Sequence, residues 1–346
     1  MTRRAKIVCT LGPATATPDR IRSLVDAGMD VARLNFSHGA REEHAKTYAS
    51  VRAAADAAGR AVGILADLPG PKIRLGRFAG GGCVWSTGDS VVITTDDVEG
   101  SPDRVSTTYA DLPRDVQPGN RMLIDDGNIA VCVEAVDGND VHVRVTEGGP
   151  VSDHKGISLP SVDVSAPVLS EKDVADLEFA LGLRVDLIAL SFVRDASDVR
   201  AVRTVMDRMH SAVPVIAKLE KPAAVERMDA IIDAFDGVMV ARGDLGVEMP
   251  LEEVPLVQKR AVQMARERSK PVIVATQMLE SMITHARPTR AEASDVANAV
   301  LDCADAVTLS CETSVGAHAV GAVRTMDRIL VAVDAGVLAP GAVGVP

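Results

Sequence analysis

Aromatic side chains are scarce: one Trp, two Tyr and five Phe make up 2% of 346 residues, although 47% of the chain is hydrophobic. The interior must therefore be filled by Val, Ile, Leu, Ala and Met, which suits parallel strands buried beneath helices on both faces. Cysteine is sparse too: Cys9, Cys83, Cys132, Cys303 and Cys311 are scattered, odd in number and never in CxxC spacing. That pattern argues against a disulfide framework or a zinc site and predicts small buried thiols in a reducing cytosol. The histidines show no metal-ligand spacing. No apolar run reaches membrane-spanning length, and MTRRAK leads into a strand without a signal-peptide core. The expectation is a soluble cytoplasmic protein with no membrane contact. Positive charge is in deficit, with a net charge of −11 and no basic run interleaved with aromatics, which argues against nucleic-acid binding. Dinucleotide and phosphate-loop signatures are also missing: no GxGxxG follows the first apolar run, no GxxxxGK[ST] occurs, and the glycines at 80–82 sit in a turn context.

What is present is an alternation. Short apolar runs at 5–12, 30–37, 61–68, 186–193, 213–220, 237–245, 271–278 and 306–312 alternate with amphipathic stretches such as TPDRIRSLVDAG, SEKDVADLEFALGL and KPAAVERMDAIIDAF. Several of those stretches open on Ser, Thr or Asp, as helix N-caps do. Eight strand–helix units predict a (β/α)8 barrel with its site at the C-terminal ends of the strands. The third and fourth runs are separated by a segment of different texture, in which SVVITT, RMLIDDG, IAVCVEAV and DVHVRVTEG alternate and VDGND reads as a hairpin turn. The expected organisation is a barrel over 1–70 and 166–336, an inserted small β-barrel lid domain over 71–165, and a loosely packed tail over 337–346.

The strand ends carry the chemistry. In VARGDLGVE an apolar strand opens into a loop bearing Asp244, and PVIAKLE ends likewise at Glu220, with Lys218 two residues earlier. Either acid alone reads as a loop carboxylate or a helix cap; two on neighbouring strands suit a hard divalent cation that keeps water and recruits substrate oxygens. In RLNFS, Arg33, Asn35 and Ser37 alternate with Leu34 and Phe36, so one polar face is aimed where a barrel interior would be apolar, unless the strand is solvated. Asp67 closes the third strand, and Lys72 and Arg74 follow a Pro-Gly-Pro turn; a solvated loop explains these charges as readily as a site. Lys155 lies where the insertion returns, Thr276 and Gln277 end the seventh strand, Ser310 and Glu312 the eighth, and His38 follows RLNFS as a helix start or a nucleotide contact. The inventory fits metal-assisted chemistry on a phosphorylated or carboxylated small molecule without choosing the reaction.

Taken together, KIVCTLGPA, RLNFSHG, GPKIR, IDDG, KGISLP, SEKD, LSFVR, IAKLE, MVARGDLGVE, ATQMLESM with RPTRAEASDVANAVLD, and LSCETSVG closely resemble the pyruvate kinase family, in the family's order. The resemblance implies phosphoryl transfer from phosphoenolpyruvate to ADP and protonation of the enolate to pyruvate. It implies that Glu220 and Asp244 hold Mg2+ or Mn2+, that Lys218 offsets charge on the transferring phosphoryl group, and that Arg33 binds phosphate. It places Thr276 at the enolate face, Ser310 in the proton relay, and Ala241, Arg242 and Gly243 in the loop receiving the substrate carboxylate. Pro13, Asn35, His38, Arg74 and Lys155 fall on nucleotide-side positions. Asn35, Ser37, Asp67 and the carbonyl of Leu68 match the monovalent-cation pocket of K+-requiring relatives.

Three departures qualify the resemblance. Those relatives carry Glu where this chain has Lys72, and usually Thr and Lys at Leu68 and Pro69; a lysine ammonium in place of K+ predicts K+-independent activity. Cys303 and Cys311 stand where the family has glycine, and a side chain at Cys311, beside Ser310, puts strand eight and the efficiency of protonation in question. After the eighth unit the C-terminal regulatory domain of most relatives is not found, so the expectation is no effector response and a monomer or homodimer. Two other readings are a metal-dependent lyase or aldolase-like barrel acting on a 2-oxo acid and a noncatalytic regulatory relative.

Overall fold

The computed structural model describes residues 3–160, 162 and 164–338. Eight parallel strands close into a barrel: Lys6–Thr10, Val31–Asn35, Gly63–Leu68, Leu187–Leu190, Val215–Leu219, Gly237–Ala241, Val272–Ala275 and Ala306–Leu309. Each corresponds to one of the eight apolar runs.

Period two divides every strand between two cores. Residues such as Ile7, Cys9, Leu34, Ile64, Ala217, Val240 and Leu309 point outward into the layer beneath the helices. The other phase, Val8, Leu65, Ala189, Ile216, Met239, Ile273 and Ala306, meets inside the barrel. One step further along the same phase the lumen turns polar, with Thr10, Arg33, Asp67, Ser191, Lys218 and Thr308. The polar face of RLNFS thus points into the barrel mouth, and the same alternation buries Leu34 and Phe36 behind it.

The helices begin where their N-caps are written. Thr17 caps Pro18–Ala27, and Ser170 with Asp173 and Thr289 with Glu292 form capping boxes for Glu171–Leu183 and Arg290–Leu301. The stretch KPAAVERMDAIIDAF is not one helix: it breaks at Arg227 (φ −102°, ψ 20°) into Pro222–Glu226 and Met228–Ala234. The segment expected as a loop after the sixth strand is a short helix, Arg242–Glu248, so Asp244 sits in a first helical turn.

Between the third and fourth barrel strands lies a six-stranded sheet, paired with a two-stranded one, with its own core built from Trp85, Ile93, Val105, Met122, Val131, Val143 and their neighbours. Strands Ile129–Asp137 and Asp140–Glu147 turn at the expected VDGND hairpin. Of the tail expected at 337–346, the first two positions belong to the helix Ala319–Leu338, and the rest lie outside the described residues. Among the described residues no helix is long and apolar enough to cross a membrane.

Candidate active site at the barrel mouth

The polar top of the lumen is a connected charge cluster. Arg33 donates from Nε to Asp67 Oδ2 at 2.6 Å and from a terminal nitrogen to Thr10 Oγ1 at 2.9 Å. Lys218 Nζ lies 3.3 Å from Asp67 Oδ1, 2.7 Å from Glu220 Oε1 and 2.7 Å from Ser191 Oγ. Asp67, Lys218 and Glu220 are all buried. Burial opposes ionisation of Asp67, but the Arg33 and Lys218 charges outweigh it and hold its carboxyl below the usual range. Burial likewise disfavours the charged form of Lys218, and Asp67 and Glu220 reverse that, holding it cationic.

Glu220 is pushed the other way. Burial raises its carboxyl, Lys218 pulls it down, and the nearby Asp244 charge raises it again. An uncompensated repulsion between Glu220 and Asp244 is what a divalent cation relieves. Glu220 accepts one bond from Lys218 and one, at 2.7 Å, from the Phe192 N–H, which leaves carboxylate lone pairs free. Among the described residues no three His, Cys, Asp or Glu side chains gather to hold a metal. A pair of carboxylates with water and substrate completing the shell fits Mg2+ or Mn2+, which are held in that way in phosphoryl-transfer sites.

Beside this cluster, Thr276 and Gln277 directly follow the seventh strand, in the left-handed region (φ 73° and 53°). Such backbone costs about 1–3 kcal/mol per residue and gathers at functional sites. Thr276 Oγ1 accepts the Gly243 N–H at 2.7 Å and donates to the Ala275 carbonyl at 2.6 Å. Ala241 caps the helix that Arg242 and Gly243 begin, and Arg242 reaches away to Asp295 (2.7 Å) and the Thr276 carbonyl (2.7 Å). The Gly243 N–H is therefore already taken, and Arg242 acts as a brace between elements. Ser310 precedes the helix Cys311–Ser314, and its N–H donates to buried Glu312 at 2.7 Å.

Pro13 and His38 are exposed in the loops after the first two strands, and Asn35 ends the second, its side-chain oxygen accepting the Ser37 N–H at 3.1 Å. Arg74 and Lys155 are brought together by a bridge between Arg74 and Gly156; Arg74 donates to the His154 carbonyl at 2.8 Å, and Lys155 pairs with Asp125 at 2.8 Å. Among the described residues no contact joins these two to Asp67 or Lys218. Leu68 is buried at the end of the third strand. Lys72 does not touch Asp67: it is exposed, with its Cε 3.3 Å from where a Cβ on Gly156 would stand, and it shares with Ser37 a cleft of about 510 Å³.

The thiols correct the expectation of uniform burial. Cys9 is buried, Cys83, Cys132 and Cys303 are half-buried, and Cys311 is exposed. It is Cys303 that occupies left-handed backbone (φ 76°), whereas Cys311 does not. Sequence reasoning missed Ser191, although its phase with Ala189 and Leu187 puts it in the lumen row. Phe192, whose backbone anchors Glu220, and Asp295, which meets Arg242 across 53 positions, carry no comparable sequence signal.

Residues 2–323 match the family model of the pyruvate kinase barrel domain. The pyruvate kinase of Mycobacterium tuberculosis (strain ATCC 25618 / H37Rv) is 66% identical over 334 residues, covering 96% of this chain and 71% of that protein. That of Corynebacterium efficiens is 66% identical over 330 residues, 95% of this chain and 70% of that protein. The crystal structure of a pyruvate kinase from Cryptosporidium parvum superposes with a TM-score of 0.92 at 40% identity, over 96% of this chain and 70% of that one. Agreement of this extent in sequence and fold means that the chain belongs to the pyruvate kinase family and is a phosphotransferase.

Proposed function

We propose that this chain transfers the phosphoryl group of phosphoenolpyruvate to ADP, giving ATP and pyruvate, without needing K+. The observation that carries the reading is Lys218, a buried ammonium held between Asp67 and Glu220 at the barrel mouth. In that transfer a β-phosphate oxygen of ADP forms the new P–O bond as the enol oxygen leaves, and the enolate then takes a proton at its methylene carbon. Charge spreads over the nonbridging oxygens of the phosphoryl group in flight, and Lys218 and Arg33 are the fixed cations that meet it. Glu220 and Asp244 would hold Mg2+ or Mn2+, which when bound would supply further positive charge to the substrate oxygens. The first turn of the helix Arg242–Glu248 faces the substrate carboxylate, Thr276 lies at the enolate face, and Ser310 belongs to the relay that delivers the proton. Pro13, Asn35 and His38 take the nucleotide side, and Arg74 and Lys155 reach its phosphates as the inserted domain closes and excludes water.

The K+ part of the reading rests on Lys72, a cation lining the same cleft as Ser37, with Asp67 already paired to two internal cations. The test is pyruvate formation from phosphoenolpyruvate and ADP with Mg2+, coupled to lactate dehydrogenase, in Na+ salts and then with K+ added. Equal rates in the two salts are expected. A large K+ stimulation removes the K+ claim, and no turnover from folded protein in either salt removes the whole reading.

A further inference from the structure

The ladder between the fifth and sixth barrel strands ends at Leu219 and Val240. Glu220 lies one residue past that ladder, and Asp244 lies in the helix that follows the sixth strand, so backbone pairing does not fix the gap between their carboxylates. The next tie across that gap is an ion pair. Lys221, directly after Glu220, donates from Nζ to Oε1 of Glu248, one helical turn after Asp244 on the same face. The side chains are 18% and 3% exposed, so solvent screens the contact weakly. The other oxygen of Glu248 has no partner among the described residues, which leaves Lys221 as the group that orients this carboxylate.

Phe192 steadies the lysine. Its N–H holds Glu220, and its ring centroid lies 5.6 Å from the Lys221 ammonium. The ring is wedged against Gly70, where a Cβ would stand 2.9 Å from it. Phe192 itself takes a left-handed backbone (φ 54°), which persists only where the surrounding structure holds it.

We propose that the Lys221–Glu248 pair, seated on Phe192, is a positioning device that sets the separation of Glu220 and Asp244 and so the affinity for the divalent cation. The inference rests on the assignment of those two carboxylates as metal ligands. Charge alone predicts something different: removing Lys221 would tighten cation binding and removing Glu248 would weaken it, whereas positioning predicts that both weaken it.

The test is Mn2+ binding to the full chain without nucleotide or substrate, followed by the electron paramagnetic resonance of free Mn2+. Wild type is compared with Glu220→Gln, Lys221→Met, Glu248→Gln, Lys221→Arg and the double variant Lys221→Met/Glu248→Met. Both single neutral variants are expected to raise the Mn2+ Kd about tenfold or more, the range found when groups supporting metal ligands are lost. The double variant should be no worse than the poorer single, because the two residues act as one unit, and Lys221→Arg should recover most of the affinity. Thermal unfolding checks that each variant is folded. If a single variant fails to fold, the double variant decides, since replacing a buried pair by apolar groups is well tolerated. Unchanged or tighter binding in Lys221→Met or in the double variant overturns the proposal while a defective Glu220→Gln still upholds the metal assignment. Wild-type affinity in Glu220→Gln overturns both.

Discussion

The Lys218 ammonium stands 2.7 Å from Oε1 of Glu220, which lies two residues on, just past the end of the fifth strand. One short run thus sets a cation and an anion side by side in the barrel mouth. Asp67 and Glu220 hold Lys218 cationic against burial, and its charge in turn offsets part of the push that burial and Asp244 give the Glu220 carboxyl towards its neutral form.

Lys218→Met should therefore fail twice. The rate of phosphoryl transfer is expected to fall by about 10²–10³-fold or more through loss of the cation in the transition state. Stability should fall by roughly 3–5 kcal/mol, because Asp67 and Glu220 remain buried with less compensation. Steady-state kinetics and urea unfolding measure the two effects, and a variant with near wild-type kcat removes Lys218 from the chemistry.

Asp67 makes a pH prediction. Its folded carboxyl lies below the usual range, so its contribution is fully present above the unfolded pKa of about 3.9 and is lost as pH falls through the lower folded value. Asp67→Asn should be less stable than wild type by about 3 kcal/mol at neutral pH, with the gap closing below about pH 4. Urea midpoints across that range are the check; a gap independent of pH contradicts the pairing with Arg33 and Lys218.

Lys72→Glu places an acid in the cleft shared with Ser37. The variant is expected to lose activity in Na+ salts and recover it with K+, since a monovalent cation would then supply the charge that the lysine carried. Loss of activity that K+ does not restore argues against Lys72 as the internal substitute.

Cys303 and Cys311 should differ when replaced by glycine. Cys303 bears a left-handed backbone (φ 76°), which costs a non-glycine residue about 1–2 kcal/mol. Cys303→Gly should raise stability by about 0.5–1 kcal/mol after the added freedom of the unfolded chain is subtracted. Cys311, outside that region, should gain nothing from the same change. Denaturation midpoints distinguish the two sites.

Cys311 is exposed, yet partial burial, and next Glu280 and Glu312, push its thiol up from the ordinary value. Since the thiolate is the reactive form, iodoacetamide should label it slowly at pH 7 and faster as the pH is raised. Cys9, buried and raised more strongly, should label only on unfolding. Rapid labelling of Cys311 at pH 7, read by mass spectrometry, contradicts this.

Much of the molecule was legible before folding. The eight strands, the N-caps at Thr17 and Ser170, and the hairpin at VDGND follow from local periodicity and turn chemistry, which depend on neighbours a few residues away. So did the polar face of RLNFS and the placing of Lys218 and Glu220 on one side, because period two puts alternate residues together. The short helix Arg242–Glu248 was read as a loop, since seven residues are too few to show a helical period and its ends are set by contacts with Thr276. The break at Arg227 was equally invisible.

By itself the sequence determined a barrel with an inserted β domain, and which strand ends carry charge. Tertiary structure alone decided which charges meet. Asp67 draws in Arg33 and Lys218 from two other strands, Phe192 anchors Glu220, Lys221 clasps Glu248 and Arg242 finds Asp295. These partners lie far apart along the chain, and no local pattern encodes the closure of the sheet. Only when the first and eighth strands pair does the barrel mouth exist as a place where such groups share a low dielectric.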